Sequence, residues 1–272
     1  MIRSDLHAES SGEILQEGLA AANEDLLLVN PTRKTMHELV HTFRTSQSST
    51  SVRLFVDQRP LKDLVDDFLV ASTIADLVKD GVLDVRTLEQ VPRNSLLLTE
   101  DFLVSLVEGD GRIAGLTTTD ESFVTSTYSY YDRRWELADE FSLRTPPLSH
   151  IRETLETDIS PEAVEDFDRV LNTLDTARGN GEGLDEVTIA LLVAANNGEL
   201  LYDISRWGED IRLASKATFS RTKNRLEDNG LIDTEKVPID VGRPRLRLML
   251  GNGKLRDADV EEVAKHAQTE LA

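Results

Sequence analysis

Leu213–Ile232, LASKATFSRTKNRLEDNGLI, and the stretch Gly242–Leu248, GRPRLRL, decide how this chain is read. Ser215 stands where a helix cap accepts a backbone N–H, and the run to Asp228 keeps a helical period. At about 100° per residue from Phe219, Lys223 and Leu226 fall within about 40° of it, while Ala217, Ser220, Arg221 and Asn224 lie between about 100° and 200°. One face can therefore pack on a core and the other can read a ligand. Arg221 has the fork that matches guanine O6 and N7, Asn224 matches adenine, and small Ala217 and Ser220 let the backbone approach a major groove. Ser215, Lys216, Thr218 and Arg225 flank that face with groups that hold phosphates. Lys223 breaks the apolar pattern and is expected to lay its stem along the core with its ammonium in water.

In the second stretch, alternation turns Leu246 and Leu248 inward and Arg243, Arg245 and Arg247 outward. Gly242 permits a turn and Pro244 denies strand pairing where Arg243 would reach a narrow minor groove. The competing reading is an edge hairpin that uses charge and proline to avoid aggregation. Charge favours nucleic acid: residues 211–250 hold nine basic and five acidic residues, a net +4, so the other 232 residues carry −24. A local reversal of sign on an acidic chain is the footprint expected of a nucleic-acid surface.

Upstream, Val187, Leu191, Val193 and Ala194 mark one helix ended by Asn197-Gly198, and Leu201, Ile204 and Trp207 mark a second. Three short helices followed by a hairpin are the order of a winged helix-turn-helix. Further upstream, Leu26–Asn30, Ser51–Asp57 and Leu83–Leu88 read as strands separated by helical stretches, which argues for a parallel α/β sheet. Segments 95–99, 102–107 and 112–118, with a turn at Gly109-Asp110-Gly111, add antiparallel strands. Ser10 and Glu13 have capping-box spacing for a first helix to about Ala22, and a long helix is expected from Glu121 to about Phe141. Ser160-Pro161 opens another that should end near Arg178, before the glycine-rich 179–183. The expected fold is an α/β N-terminal domain, its sheet mixed and largely parallel with helices, plus a C-terminal winged helix-turn-helix. The expected division is residues 1–145, a helical linker at 146–183, the reading domain at 184–250, and a C-terminal helix at 251–272.

The chain of 272 residues has no cysteine, so disulfides and thiolate metal sites are excluded. No apolar run spans a bilayer and MIRSDLHAES lacks a signal segment, so a cytoplasmic protein without membrane contact is expected. Eight lysines against 22 arginines, within 50 acidic and 30 basic residues, resemble the balance of proteins from salt-loving archaea. At molar salt the Debye length is about 3 Å, and short-range contacts must then carry binding.

Residues 200–250, LLYDISRWGEDIRLASKATFSRTKNRLEDNGLIDTEKVPIDVGRPRLRLML, resemble the haloarchaeal TbsP-type transcriptional regulators, and the similarity extends over most of the chain. The resemblance implies a promoter-binding regulator of central carbon and sugar metabolism, with a phospholipase-D-like or TrmB-like sensor fold in the N-terminal part. A phospholipase D needs a His-x-Lys pair, which the chain lacks, so such a domain would bind and not hydrolyse.

Ligands of open α/β sheets sit beyond the carboxyl ends of strands. Asn30, Thr32, Arg33 and Lys34 follow one strand and Asp57 and Arg59 another, a candidate site for a phosphorylated metabolite or else loop arginines paired with carboxylates. His37-Glu38-Leu39-Val40-His41 matches the H-E-x-x-H of zinc peptidases. From Met36, however, the two histidines lie at about 100° and 140°, toward solvent. A metallopeptidase and a protein-binding winged-helix adaptor are thus the alternatives to a regulator; no catalytic residue, metal or cofactor is expected. Tyr128, Tyr130, Tyr131 and Trp135 suit a core or a dimer surface, or the floor of an effector pocket. A symmetric operator asks for a homodimer, with residues 147–178 and 257–271 as candidate contacts.

Overall fold

Leu26–Val29 are inaccessible to solvent, and a strand whose side chains are buried on both faces must lie inside a sheet with helices on either side. The computed structural model describes residues 2, 5–45, 50–174, 177, 184–240, 242–251 and 253–271. It divides into Met1–Asp66 with Thr73–Leu143, and Asp67–Ser72 with Arg144–Ala272.

The first unit runs β1 (Asp5–Ala8), α1 (Ser11–Ala21), β2 (Asp25–Val29), α2 (Arg33–Thr45), β3 (Ser51–Val56), α3 (Gln58–Val65), the part of α4 (Phe68–Lys79) from Thr73 on, β4 (Leu83–Thr87), β5 (Ser95–Leu98), β6 (Leu103–Gly109), β7 (Arg112–Thr118) and α5 (Glu121–Glu136). The seven strands lie in the order β1-β7-β6-β5-β2-β3-β4. The sheet is mixed, as expected, but its parallel part is only β2, β3 and β4, the strands joined through helices. The other neighbours are antiparallel; for β5-β6 and β6-β7 the links are too short for a crossover, as at Asp110-Gly111 with Gly111 at φ 68°.

One strand comes without a clear sequence signal, and two local expectations are corrected. Strand β1 alternates polar and apolar residues over only four positions, too few to stand out, yet it pairs along β7 from Asp5↔Leu116 to Ala8↔Ile113. Ser10 sits at the cap of α1 but makes no side-chain capping bond, so the capping box is not formed. Helix α5 stops at Glu136, and Leu137 beyond it is 88% exposed.

Trp135 fastens α5 to the sheet. It is buried, meets Phe55 edge to face at 5.6 Å, and lies between two guanidiniums, Arg86 at 4.9 Å and Arg53 at 5.7 Å. Arg53 Nη1 donates to Asp132 at 2.7 Å and Nη2 to the Tyr128 hydroxyl at 2.6 Å, and Nε pairs with Asp25. The aromatic stripe is thus core at Trp135, half-buried at Tyr128 and Tyr131, and exposed at Tyr130.

The second unit contains α6 (Leu148–Asp158), α7 (Pro161–Thr173), α8 (Glu186–Asn196), α9 (Leu201–Asp210), α10 (Lys216–Asp228), β8 (Ile232–Val237), β9 (Arg245–Leu250), α11 (Gly253–Arg256) and α12 (Val260–Glu270). Ser160 caps α7 by accepting from the Ala163 N–H at 3.3 Å, with Pro161 at the first helical position. That helix ends at Thr173, short of Arg178; Arg178 and 179–183 lie outside the described residues. Helix α8 buries every residue from Val187 to Ala195, because it is apolar on all sides and the others pack around it. One core joins Ile151, Phe167, Ile204, Trp207, Phe219, Leu248 and Val263. Among the described residues no helix is long and apolar enough to cross a membrane.

Candidate nucleic-acid interface

Helices α9 and α10 cross where Gly208 meets Phe219. A Cβ at Gly208 would come within 2.3 Å of the Phe219 ring, so only glycine allows this approach. The turn between the helices puts Arg212 in the left-handed region at φ 61°, and the Leu213 N–H returns to the Gly208 carbonyl at 2.8 Å. Ser215 then caps α10, accepting from the Thr218 N–H at 3.2 Å.

Burial divides α10 by face. Phe219, Thr222, Lys223 and Leu226 are buried, while Ala217, Ser220, Arg221, Asn224 and Arg225 are exposed. The Lys223 ammonium is not simply in water: it donates to Glu227 at 2.6 Å, and Glu227 also accepts from Thr234 at 2.8 Å. Burying a cationic group costs free energy unless it is paired, and Glu227 supplies the pair.

The flanking groups differ in how they are held. Lys216 donates to Glu209 at 2.6 Å, which raises the ammonium's pKa and lowers that of the carboxyl. Thr218 Oγ1 lies 3.0 Å from Ser215 Oγ. Arg225 donates to Thr188 at 2.9 Å and lies 3.8 Å from Asp185, which ties α10 to the start of α8. Among the described residues Arg221 reaches only Thr218, on its own helix, at 3.4 Å.

The hairpin pairs from Ile232↔Leu250 to Val237↔Arg245. Leu248 is buried, and its N–H donates to the Glu199 carbonyl at 2.8 Å; Leu200 bridges Arg247 as a rudimentary third strand. Leu246 is only half-buried. Arg243 and Arg247 are exposed, and Arg243 has no ion pair among the described residues. Arg245 is turned back onto α9, stacked on Tyr202 at 4.1 Å and paired with Asp203 at 3.5 Å. A hollow of about 450 Å³ opens between α9, α10 and the hairpin, with Lys216 and Ser220 on one wall and Arg243 and Arg245 on the other. Helix and wing thus address the same space. Tyr202 and Ser205, which also line it, have no signature in the sequence that separates them from an ordinary helix surface.

Of the six residues named for a metabolite, three have their polar groups engaged locally. The Asn30 side chain donates to the Pro92 carbonyl at 2.7 Å, Thr32 accepts from the Thr35 N–H at 3.2 Å, and Asp57 caps α3 by accepting from Arg59 N–H at 3.1 Å. Arg33, Lys34 and the Arg59 side chain are exposed. Tyr128 lines an open hollow of about 610 Å³, but Glu100, Asp101, Glu121 and Asp132 share it, a setting that repels an anion. On α2, Met36, Leu39 and Val40 are buried and His37 and His41 are exposed. Among the described residues no three His, Asp or Glu side chains converge as a metal-binding set.

Residues 3–146 match the transcriptional regulator TbsP-like N-terminal domain, and residues 147–268 match the transcriptional regulator TbsP-like C-terminal HTH domain. No curated protein matches the chain. Among solved structures, one of TrmBL2, described as an archaeal chromatin protein, is 17% identical with a TM-score of 0.38, covering 50% of this chain and 53% of its own. Nuc from Salmonella typhimurium, a phospholipase D family member, is 11% identical with a TM-score of 0.36, covering 51% of this chain and 97% of its own. Likenesses of that size do not bear on activity. The two domain matches together cover residues 3–268, and the chain belongs to the TbsP-like family of DNA-binding transcriptional regulators.

Proposed function

We propose that this regulator reads double-stranded promoter DNA with α10 in the major groove and the β8–β9 wing against the adjoining backbone and minor groove. The observation that carries this reading is the shared hollow, which sets Ser220 and Arg243 on facing walls while α10 keeps Arg221 and Asn224 on its exposed side. Ala217, Ser220, Arg221 and Asn224 would read bases; Ser215, Lys216, Thr218, Arg225, Arg243 and Arg247 would hold the backbone. Arg221→Ala should cost about 1 to 3 kcal/mol on the cognate site and relax base preference, whereas Lys216→Ala should weaken all sequences alike. Titrations of both variants on cognate and scrambled duplexes measure this, and equal losses on both DNAs would defeat it. A protein-binding adaptor would show no sequence-specific retention of a promoter fragment at high salt.

The regulator would act in the cytoplasm and without catalysis; His37 and His41 lie on the exposed side of a helix, as surface histidines do. Its targets would be the central carbon and sugar metabolism genes that the family resemblance implies. Pairing into a homodimer would suit a symmetric operator. Helices α6, α7 and α12 spend their apolar faces on the core of their own unit, and Arg169 of α7 grips Glu261 of α12 through two 2.7 Å bonds, so a dimer through them would use polar outer faces. A phosphorylated metabolite would meet Arg33, Lys34 and Arg59, exposed cations beyond β2 and β3.

A further inference from the structure

We infer that Arg245 is a positioning residue of the wing, latched to α9 by Tyr202 and Asp203, and that it does not itself grip DNA. This inference rests on the DNA-reading role proposed for α10 and the wing. Strand pairing ends at Val237↔Arg245, so Arg245 is the last point at which the hairpin is held before the loop that carries Arg243. The middle of β9 is fixed by the Leu200↔Arg247 bridge and the bond from Leu248 to Glu199. Nothing in the strand register fixes the loop.

The guanidinium of Arg245 supplies that hold. It lies 4.1 Å from the Tyr202 ring centroid and 3.5 Å from the Asp203 carboxylate, so one side chain is engaged by two successive residues of α9. A planar guanidinium can stack and pair at once, which a lysine ammonium cannot do in the same geometry. A cation with its own carboxylate and its own aromatic face is already satisfied. Arg243, exposed and without an ion pair among the described residues, is left to meet the phosphate or the minor groove. Ser220 and Arg243 line the hollow that the latch bounds, so loosening Arg245 would move one wall and leave the other.

The latch and a direct phosphate contact differ in what a neutral substitution does. Tyr202→Leu removes no charge. Under the latch it should weaken operator binding about three- to tenfold. It should also lower the salt slope, because Arg243 loses its place, and each phosphate contact is worth about 0.9 in that slope. Arg245→Ala should give a similar loss, and the double variant should be no worse than either single one. Tyr202→Phe, which keeps the ring, should bind as the native chain does. In the free protein, Tyr202→Leu and Arg245→Ala should speed amide exchange at 243 and 245–247 while exchange at Ile232 and Leu250 stays unchanged.

Native affinity and slope in Tyr202→Leu would overturn the latch in favour of direct contact. A loss in Tyr202→Phe equal to that in Tyr202→Leu would overturn it in favour of a tyrosine hydroxyl on the phosphate. A native chain that retains no promoter fragment would refute the DNA-reading proposal, and the exchange measurement would still judge the latch.

Discussion

At the scale of single residues, Gly208 is the position where the reader is most easily broken. An added methyl would sit 2.3 and 2.4 Å from two ring atoms of Phe219, a side chain with no exposed surface and no room to move. Gly208→Ala should therefore cost about 1 to 3 kcal/mol, at the upper end because an aromatic ring and not a flexible tip is in the way. Urea denaturation followed by Trp207 fluorescence in a Trp135→Phe background checks it, and an unchanged midpoint would show that α9 can slide at no cost. DNA affinity should fall further than stability does, since any slide of α9 shifts the N-terminus of α10. Glycine was legible at this position only as a letter inside a helix; the contact that demands it is eleven residues away, and no periodicity reports it. Arg245 and Lys223 teach the same lesson. A sequence displays their charge, but Asp203, Tyr202 and Glu227 decide whether that charge faces a ligand or the protein itself.

At the scale of elements, the start of α8 combines a favourable cap with an unfavourable neighbour. Asp185 accepts from the Thr188 N–H at 2.7 Å and stabilises the first turn. Glu186 beside it is desolvated, and burial pushes its carboxyl above the ordinary range, with Asp185 adding to the shift and the helix backbone offsetting part. An acid whose pKa is raised on folding binds its proton more tightly in the folded state. Its contribution therefore favours folding at low pH and is lost as pH rises from the ordinary carboxylate value through the raised one. Glu186→Gln, neutral throughout, should be the more stable chain at pH 7, and its advantage should shrink as pH falls toward about 4. Urea midpoints of the two chains at both pH values test the sign; a constant difference would place the carboxyl in water. The elements themselves were largely readable where local signals agreed with tertiary ones. Helix α10 announced itself because a cap, an apolar face and a polar face coincide, and α8 and α9 because apolar periods end at clear stops. Strand β1 was hidden because an alternation of four residues is too short to be told from chance, and pairing with β7 is what holds it. The overlong expectation for α5 failed because Leu137 continues the composition of a helix after Trp135 has already anchored its end. The share of antiparallel pairing was underestimated because strand direction is set by link length and crossover, which lie between the apolar runs and not within them.

At the scale of the whole molecule, the boundary between units is not a single cut in the sequence. Asp67–Ser72 belongs with Arg144–Ala272, and Phe68 and Leu69, 4% and 9% exposed, sit in the same core as Phe167, Val170 and Leu174. The Phe68 N–H donates to the Ala177 carbonyl at 3.1 Å, and the Asp67 carboxylate accepts from the Leu69 N–H at 3.0 Å. A fragment beginning at Arg144 would keep every residue of the winged helix yet leave the sites of two large apolar side chains empty. Loss of a buried leucine or phenylalanine typically costs about 2 to 5 kcal/mol, moderated where the surroundings can collapse. The fragment 144–272 should thus unfold at distinctly lower urea than the same unit within the full chain. Trp135 and Trp207 are the two tryptophans, one in each unit, so Trp135→Phe leaves Trp207 as the reporter of the second unit in the intact protein. If the fragment and that variant share a midpoint, the 67–72 segment contributes nothing to the core it occupies. If the fragment is weaker, a peptide of residues 67–79 or an extension that restores them should recover part of the loss. DNA affinity measured well below the fragment's midpoint should then be little changed, because no residue of the hollow or of α10 belongs to the missing segment.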